Sequence, residues 1–590
     1  MFRITFGATM ASTQKRKASD EDFSSFVHMC LDEETVISDS SATDSEVEDC
    51  SSSARPISVR EESDQNYSSS DSEYCSDSEC IQQTQKDDTF ISVNGTVWKK
   101  NAPSTSRTRA HNIVKCTPGV SREVKTSCPK DAWDCIITHS IIEEIIHCTN
   151  LEGRRLATEE GKQWKNVSVE EMNAFFGILL QAGVEKSWDV PIRELFLDER
   201  SNPLYKATMS VNRFEDIRKA LRFDDKRTRS VRLQTDKLAP ISYVWNLFLD
   251  NCRKVIIPSE FVTIDEQLVP FRGKCSFIQY MPKKPSKYGI KIFWLCDAKS
   301  SYAVDGCVYT GRKPNEPVQR NLGANIVKEL TQTVKNSSRN VTMDNYFTSV
   351  SLAEDMLQQG ITIVGTIRQN KPDIPKELKA SPSREVGSSI FAFKNDVTLV
   401  SYVPKRNRSV IMLSTMHHDK SIVEDHPKKK PEIITFYNST KGGVDGMDQK
   451  VRYYTSKRQS RRWPFVLWTN MMDVAALNSY VVFSTQHPGY FPNRTDKRRL
   501  FLRELAEELV KPQMIMRLPI PNLPKSVQDA LKRCGVSKPT EEEVRAQEPK
   551  RRRCGFCPYD LHRKSTLTCS KCGKNVCKQH SKLVCNSCFS

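Results

Sequence analysis

No stretch of this 590-residue chain is apolar for long enough to cross a membrane. Of the two most apolar runs, Ala174–Val184 is too short, and Phe465–Phe483 is broken by Asn470, Asp473 and Asn478. The opening MFRITFGATM has one Arg and no sustained apolar core, so no secretory leader is expected, and Met10 offers a second start, MASTQKRK. Collagen-like, coiled-coil and wholly disordered classes are excluded too, because 38% of residues are hydrophobic and Trp, Tyr and Phe total 49 (8, 16 and 25). Beyond its first segment the chain is short of acid. Residues 1–90 hold 7 basic and 20 acidic side chains, net −13, and residues 91–590 hold 82 and 52, net +30. The formal +17 is thus the difference between an acidic leading arm and a strongly basic body. A basic body fits a polyanionic partner, nucleic acid before membrane. Twenty cysteines without a secretory leader point to reduced thiols and metal ligands in a reducing compartment, not to disulfides.

The length allows about three or four domains. The first 90 residues carry 19 Ser, many beside acids, as in SDSSATDSEVED. Such a segment buries too little apolar surface to offset chain entropy, so a disordered acidic tail is expected there. It reads either as a solvated tail or as a phosphorylatable arm that competes with DNA for the basic body. From about 130 to 260 the apolar period is helical, with Ile137, Ile141, Ile142, Ile145 and Ile146 forming one stripe. From about 262 strands alternate with helices: Tyr288–Leu295, Tyr302–Tyr309, Asn325–Val334 (helix), Asn340–Met343, Leu352–Leu357 (helix) and Ile361–Ile367. This order predicts an α/β layer fold. Short strands at Ile390–Phe393, Thr398–Val403 and Val410–Ser414 read as an inserted β module, and helical periodicity returns from Val444 to about Leu509.

The last 37 residues carry four ligand pairs: Cys554 and Cys557, Cys569 and Cys572, Cys577 and His580, Cys585 and Cys588. Eight soft ligands at this spacing match two tetrahedral Zn²⁺ sites, and flanking Arg551, Arg552, Arg553 and Lys571 help hold the thiolate charge. The ligands leave open what the module contacts: DNA, or a protein partner as in RING- and PHD-type modules.

A set of aspartates is the second chemical signal. Asp265 ends the apolar run Val262-Thr263-Ile264, Asp344 ends Val341-Thr342-Met343, and Asp445 and Asp448 stand three apart at a predicted helix start. Singly, each reads as a turn or surface acid. Together, carboxylates from separate elements suit two-metal phosphoryl transfer, with Mg²⁺ or Mn²⁺ balancing the repulsion between like charges.

Five motifs in order, TIDEQLVPFRG, PKKPSKYGIK, TMDNYFTS, GTIRQNK and TKGGVDGMDQ, resemble piggyBac transposases, and the terminal Cys-rich stretch resembles the end of the founding insect member. The resemblance covers about 130–590. It implies catalytic aspartates at Asp265, Asp344 and Asp445, with an accessory carboxylate at Asp448. It also implies a multidomain α/β fold with a ribonuclease-H-like core. On that reading the disordered acidic tail spans 1–129, helical dimerisation and DNA-binding part 130–262, catalytic part 263–369, β insertion 370–430, second catalytic part 431–456, helical DNA-binding part 457–535, linker 536–550, and Cys-rich zinc domain 551–590. The implied activity is cut-and-paste transposition: nicking at the transposon end, hairpin formation, hairpin opening, and integration at TTAA. The implied partners are double-stranded DNA and a second copy of the chain, and the implied location is the nucleus, addressed by Lys550–Arg553 or, more weakly, by the basic run at 15–17.

Three basic clusters with aromatics are candidate DNA contacts: Lys283, Lys284, Lys287, Tyr288 and Lys291; Arg368 and Lys371; and Lys457, Arg458, Arg461, Arg462 and Trp463. The competing functional expectation is a domesticated relative that binds DNA without cutting it. A chromatin or ubiquitin-pathway role for the zinc end would leave the aspartates unexplained.

Overall fold

The computed structural model describes residues 88–103, 112–114, 116–197, 200–311, 321–424, 427–537 and 551–582. The described chain opens with strands β1 (Thr89–Ile91) and β2 (Val97–Lys99), followed by β3 (Gly119–Val120). A helical block follows: α1 (Pro129–Asp134), α2 (His139–Glu159), α3 (Val169–Val184), α4 (Ile192–Leu197), α5 (Pro203–Thr208), α6 (Val211–Ala220), α7 (Arg229–Arg232) and α8 (Ser242–Val255). Ile141, Ile142 and Ile145 of the predicted stripe are buried on α2, while Ile137, also buried, precedes the helix.

The sheet comes next. Strands β4 (Ile256–Ile257), β5 (Phe261–Pro270), β6 (Gln279–Tyr280), β7 (Tyr288–Asp297) and β8 (Ala303–Val308) precede helix α9 (Leu322–Leu330). Then come β9 (Asn340–Met343), α10 (Val350–Gln358) and β10 (Thr362–Thr366). Around β5 the strands run β8-β7-β5-β9-β10, the first three antiparallel and the last two parallel to β5. Parallel pairing needs a crossover, which α10 supplies between β9 and β10. This is a mixed α/β, ribonuclease-H-like core.

Strands β11 (Ser389–Lys394), β12 (Val397–Lys405) and β13 (Arg408–Ser414) form an antiparallel run that continues the same sheet, because β13 pairs with β10. The inserted segment therefore widens the sheet; its strands do not stand apart as a separate module. Beyond β11 the sheet ends on β2 and β1. Trp98 of β2 is fully buried and its indole donates to the Asp373 carbonyl at 3.0 Å. The tail expected over 1–129 is thus corrected at its C-terminal side: β1, β2 and β3 lie within it, and aromatic and β-branched residues flanking Asn94-Gly95 close the β1–β2 hairpin onto the sheet. Residues 1–87 lie outside the described residues.

After the sheet come α11 (Glu432–Thr440), α12 (Gly443–Tyr453), α13 (Trp463–Gln486), α14 (Lys497–Arg517) and α15 (Lys525–Arg533), then a short ladder of β14 (Arg552–Arg553) and β15 (Lys564–Ser565). Helix α13 is buried nearly all round, which explains why its apolar residues fall on every face. Its polar residues are each spoken for. The Asn478 amide pairs with both backbone groups of Ala303 at 2.9 Å, and Asp473 accepts from Thr455 Oγ1 and the Ser456 N–H at 2.7 and 2.8 Å. These residues interrupt the apolar run because they fasten α13 to the sheet and to the segment before it. Among the described residues, no helix is long and apolar enough to cross a membrane.

Candidate active site

Asp265 lies inside β5, not at its end as its sequence context implied. β5 stays paired to β7 as far as Pro270, whereas its parallel pairing with β9 stops at Ile264 opposite Met343. Asp265 and Asp344 are the next residues in that register, so they flank the point where β9 leaves the sheet. Beyond it the chain turns sharply: the Asp344 carboxylate accepts the Tyr346 N–H at 2.9 Å, and its carbonyl accepts the Thr348 hydroxyl at 2.8 Å.

Helix α12 brings the remaining carboxylates. It comes close to the sheet because Gly443 has no side chain: a Cβ there would sit 2.6 Å from Thr263 Oγ1 and 3.3 Å from the Ala298 Cα. The Thr263 hydroxyl donates to the Thr440 carbonyl at 2.7 Å, fixing the turn into the helix. Asp445 then joins the charges felt by Asp265. Burial first, and then the charges of Glu266, Asp445 and Asp344, push the Asp265 carboxyl up to about 7. Asp448 stands one turn further along. Its Oδ1 accepts from Gln267 Nε2 at 2.8 Å and from Arg452 Nε at 3.2 Å, and its Oδ2 pairs with Arg452 at 2.8 Å.

Sequence reasoning missed four residues here. Glu266 and Gln267 follow Asp265 directly in TIDEQ, and a second acid beside the first was the available signal. Tyr437 of α11 is half-buried, and burial together with the Asp344, Asp265 and Asp445 charges pushes its phenol up. Arg452 carried no signal beyond its i+4 spacing from Asp448.

The predicted DNA contacts divide sharply. Lys283, Lys287, Arg368 and Arg461 are exposed. Tyr288 is exposed at the sheet edge, its ring 4.8 Å from that of Tyr280. Arg368 and Lys371 line a cleft with Asn345 and Tyr346, immediately after Asp344. Lys284 and Lys291 instead face Glu266: Lys284 Nζ donates to its carbonyl at 3.1 Å, and each ammonium lies 3.8 Å from its carboxylate. Lys291 also lies over the Phe293 and Tyr346 rings, at 4.6 and 5.0 Å from their centroids.

The third cluster is corrected. Arg458 is buried and donates to the Ser187 and Val190 carbonyls, so it joins α12–α13 to the loop after α3. Arg462 donates to the carbonyls of Leu221 (2.9 Å) and Arg218 (2.5 Å), satisfying the end of α6. Trp463 packs edge-on against Phe277, and Lys457 is half-buried, which pushes its ammonium down. Only Arg461 of this group stands clear.

At the C-terminus Cys554, Cys557, Cys577 and His580 present ligand atoms all within 4.8 Å of one another. The separations are 3.6 Å between Cys557 and Cys577 sulfurs, and 3.3, 3.4 and 3.6 Å from His580 Nδ1 to Cys577, Cys557 and Cys554. A tetrahedral Zn²⁺ with Zn–S near 2.3 Å and Zn–N near 2.0–2.1 Å requires edges of about 3.7 and 3.5 Å. The set therefore fits a metal, and it takes the first and third pairs. Cys569 and Cys572 stand outside it, and Cys585 and Cys588 lie outside the described residues. All described cysteines are free thiols.

A family profile described as Transposase IS4 matches residues 128–480. Among curated proteins, the human PiggyBac transposable element-derived protein 3 is 24% identical over 353 residues, covering 57% of this chain and 58% of its own length. The human PiggyBac transposable element-derived protein 2 is 23% identical over 338 residues, 53% of this chain and 55% of its own. The chain thus spans little more than half the length of the curated relatives it matches. A solved structure, the cryo-EM structure of a piggyBac transposase synaptic complex with hairpin DNA, superposes with a TM-score of 0.68 at 36% identity, covering 80% of this chain and all of that one. The profile match over more than half of the chain and the structural match over 80% of it together establish that this chain belongs to the piggyBac family of transposases.

Proposed function

We propose that the chain is an active cut-and-paste DNA transposase. The observation that carries this is the set of carboxylates: Asp265 and Asp344 next in register at the end of β9, with Asp445 on α12 near enough for its charge to act on Asp265. The donor set is hard oxygen, and burial with crowded negative charge holds Asp265 at about 7, which suits a divalent cation such as Mg²⁺ or Mn²⁺, although these carboxylates are not gathered as closely as the ligand atoms of Cys554, Cys557, Cys577 and His580. Bound at Asp265, Asp344 and Asp445, such ions would supply Lewis-acid stabilisation of the attacking and leaving oxygens. The protein's own part is to place the phosphate. Lys283, Lys287 and Arg461 hold the DNA backbone, while Arg368 and Lys371 hold the target beside Asp344. The sequence of events is a nick at the transposon end, hairpin closure by the freed 3′-OH, hairpin opening, and attack on target DNA at TTAA. The solved relative carries hairpin DNA, which supports a hairpin step for the present chain. The two C-terminal Zn²⁺ sites would be Cys554, Cys557, Cys577 and His580, and then Cys569, Cys572, Cys585 and Cys588. A homodimer would hold the two transposon ends.

Purified protein with Mg²⁺ should nick a duplex carrying matching terminal repeats. Asp265→Asn, Asp344→Asn and Asp445→Asn should each abolish nicking while DNA retention in a gel shift persists, a loss on the order of several kcal/mol in the transition state. Normal nicking by Asp265→Asn would overturn the assignment, and loss-free DNA binding without any nicking by the parent would favour a domesticated binding protein. The protein should be nuclear, since its substrate is chromosomal. A reporter fused to 545–590 that stays cytoplasmic would count against that address.

A further inference from the structure

Gln267 is two residues beyond Asp265 on β5, hence on the same face of the strand, and it is 2% exposed. Every hydrogen-bonding position of its amide is used. The Trp294 indole donates to Oε1 at 3.0 Å, and an indole offers only a donor, so the amide has a single orientation. Asn470 Nδ2 also donates to Oε1 at 3.0 Å. Nε2 therefore points the other way, donating to Asn470 Oδ1 at 3.2 Å and to Asp448 Oδ1 at 2.8 Å. Trp294 belongs to β7, Asn470 to α13 and Asp448 to α12. Two rigid elements thus fix the amide, and it passes one N–H to a third.

Arg452 occupies the rest of Asp448, so both carboxylate oxygens already have N–H donors. Asp445 stands three residues earlier on the same helix, with its charge against Asp265. The rotation of α12 on the sheet sets where Asp445 stands, and beside the packing of Gly443, Val444, Met447 and Val451 the Gln267–Asp448 hydrogen bond is a polar contact that bears on that rotation.

We infer that Gln267 is a positioning residue, which sets Asp445 over Asp265 and Asp344 by locking α12 through Asp448, and that Asp448 serves as this lock and not as an ion ligand. The inference rests on the transposase reading of the centre above. A merely satisfied core amide, or an ion-ligating Asp448, would give different results in the following experiment.

The full-length chain is titrated with Mn²⁺ alone, following free Mn²⁺ by electron paramagnetic resonance, and nicking is measured in parallel. Gln267→Glu keeps the acceptor for the Trp294 indole and for Asn470 Nδ2 but sets a carboxylate oxygen against Asp448 Oδ1 and Asn470 Oδ1. Its Mn²⁺ affinity should fall by about 10–100-fold, the usual effect of losing a residue that orients a ligand. Adding Asp448→Asn swaps the charge between the two partners, so the new amide donates to the new carboxylate at unchanged net charge. The double variant should return Mn²⁺ affinity and nicking to near those of the parent. Because its charges balance, it also serves if Gln267→Glu alone does not fold. Unchanged Mn²⁺ binding in folded Gln267→Glu would overturn the positioning role. No recovery in a folded double variant would overturn the lock. If the parent binds Mn²⁺ but nicks no duplex, the transposase reading fails while the comparison of Mn²⁺ affinities still decides the role of Gln267.

Discussion

Arg458 and Lys287 sit in clusters of similar composition, yet they do different work. The buried Arg458 guanidinium satisfies two carbonyls of another segment, whereas Lys287 is exposed at the sheet edge. Replacing both Lys283 and Lys287 with Ala should lower the slope of log affinity against log salt by about two, because each cation that neutralises a phosphate releases one counterion. Arg458→Met should leave that slope unchanged and cost roughly 1–3 kcal/mol of stability, the price of unsatisfied buried acceptors. Filter-binding titrations at several salt concentrations and urea melts separate the two effects. A changed slope in Arg458→Met would return that residue to the DNA path. The sequence offered no means of telling these cations apart, since burial of an arginine is decided by elements far away in the chain. Ser187 and Val190 are about 270 residues from Arg458.

Elements were more legible than partners. Asn340–Met343 is readable as a strand because an apolar β-branched run ends at an acid, and the structure gives the same bounds. The β1–β2 hairpin was signalled as well, by Asn94-Gly95 between aromatic and β-branched residues, with Gly95 at φ +82°. It went unread because the acidic composition just before it dominated the window. The continuation of β5 past Asp265 was not legible, for it depends on nine consecutive pairs with β7. Gly442 and Gly443 of KGGVDG are visible in the sequence, but not the surface that Gly443 must clear. Gly443→Ala would push a methyl into Thr263, whose hydroxyl is held by Thr440, so α12 must move or strain. Overpacking of this kind costs roughly 1–3 kcal/mol, and moving the helix carries Asp445 away from Asp265. Melting temperature and nicking rate should therefore both fall. A Gly443→Ala chain that melts and nicks like the parent would show that α12 does not approach the sheet so closely.

On the scale of the whole molecule, the cleft beside Asp344 bears on how target DNA would reach the proposed centre. Arg368 and Lys371 line it, while Lys283 and Lys287 are exposed between β6 and β7. Target DNA has to be deformed to bring its phosphates to the carboxylates, so it depends on these cations more than an already anchored transposon end does. Replacing both with Ala should spare excision and reduce integration when donor repair and new insertions are scored in the same cells. Equal losses in both would assign the pair to the centre or the fold in general. The close approach of α12 to β5 also has a consequence in time. Asp445 is synthesised 180 residues after Asp265, about 10–35 s later at 5–20 residues per second. A nascent chain, or one truncated by an early stop, therefore carries two of the three carboxylates. On the proposed reading the means to cut DNA would be assembled only when translation is well past the sheet, and an unfinished copy would lack it.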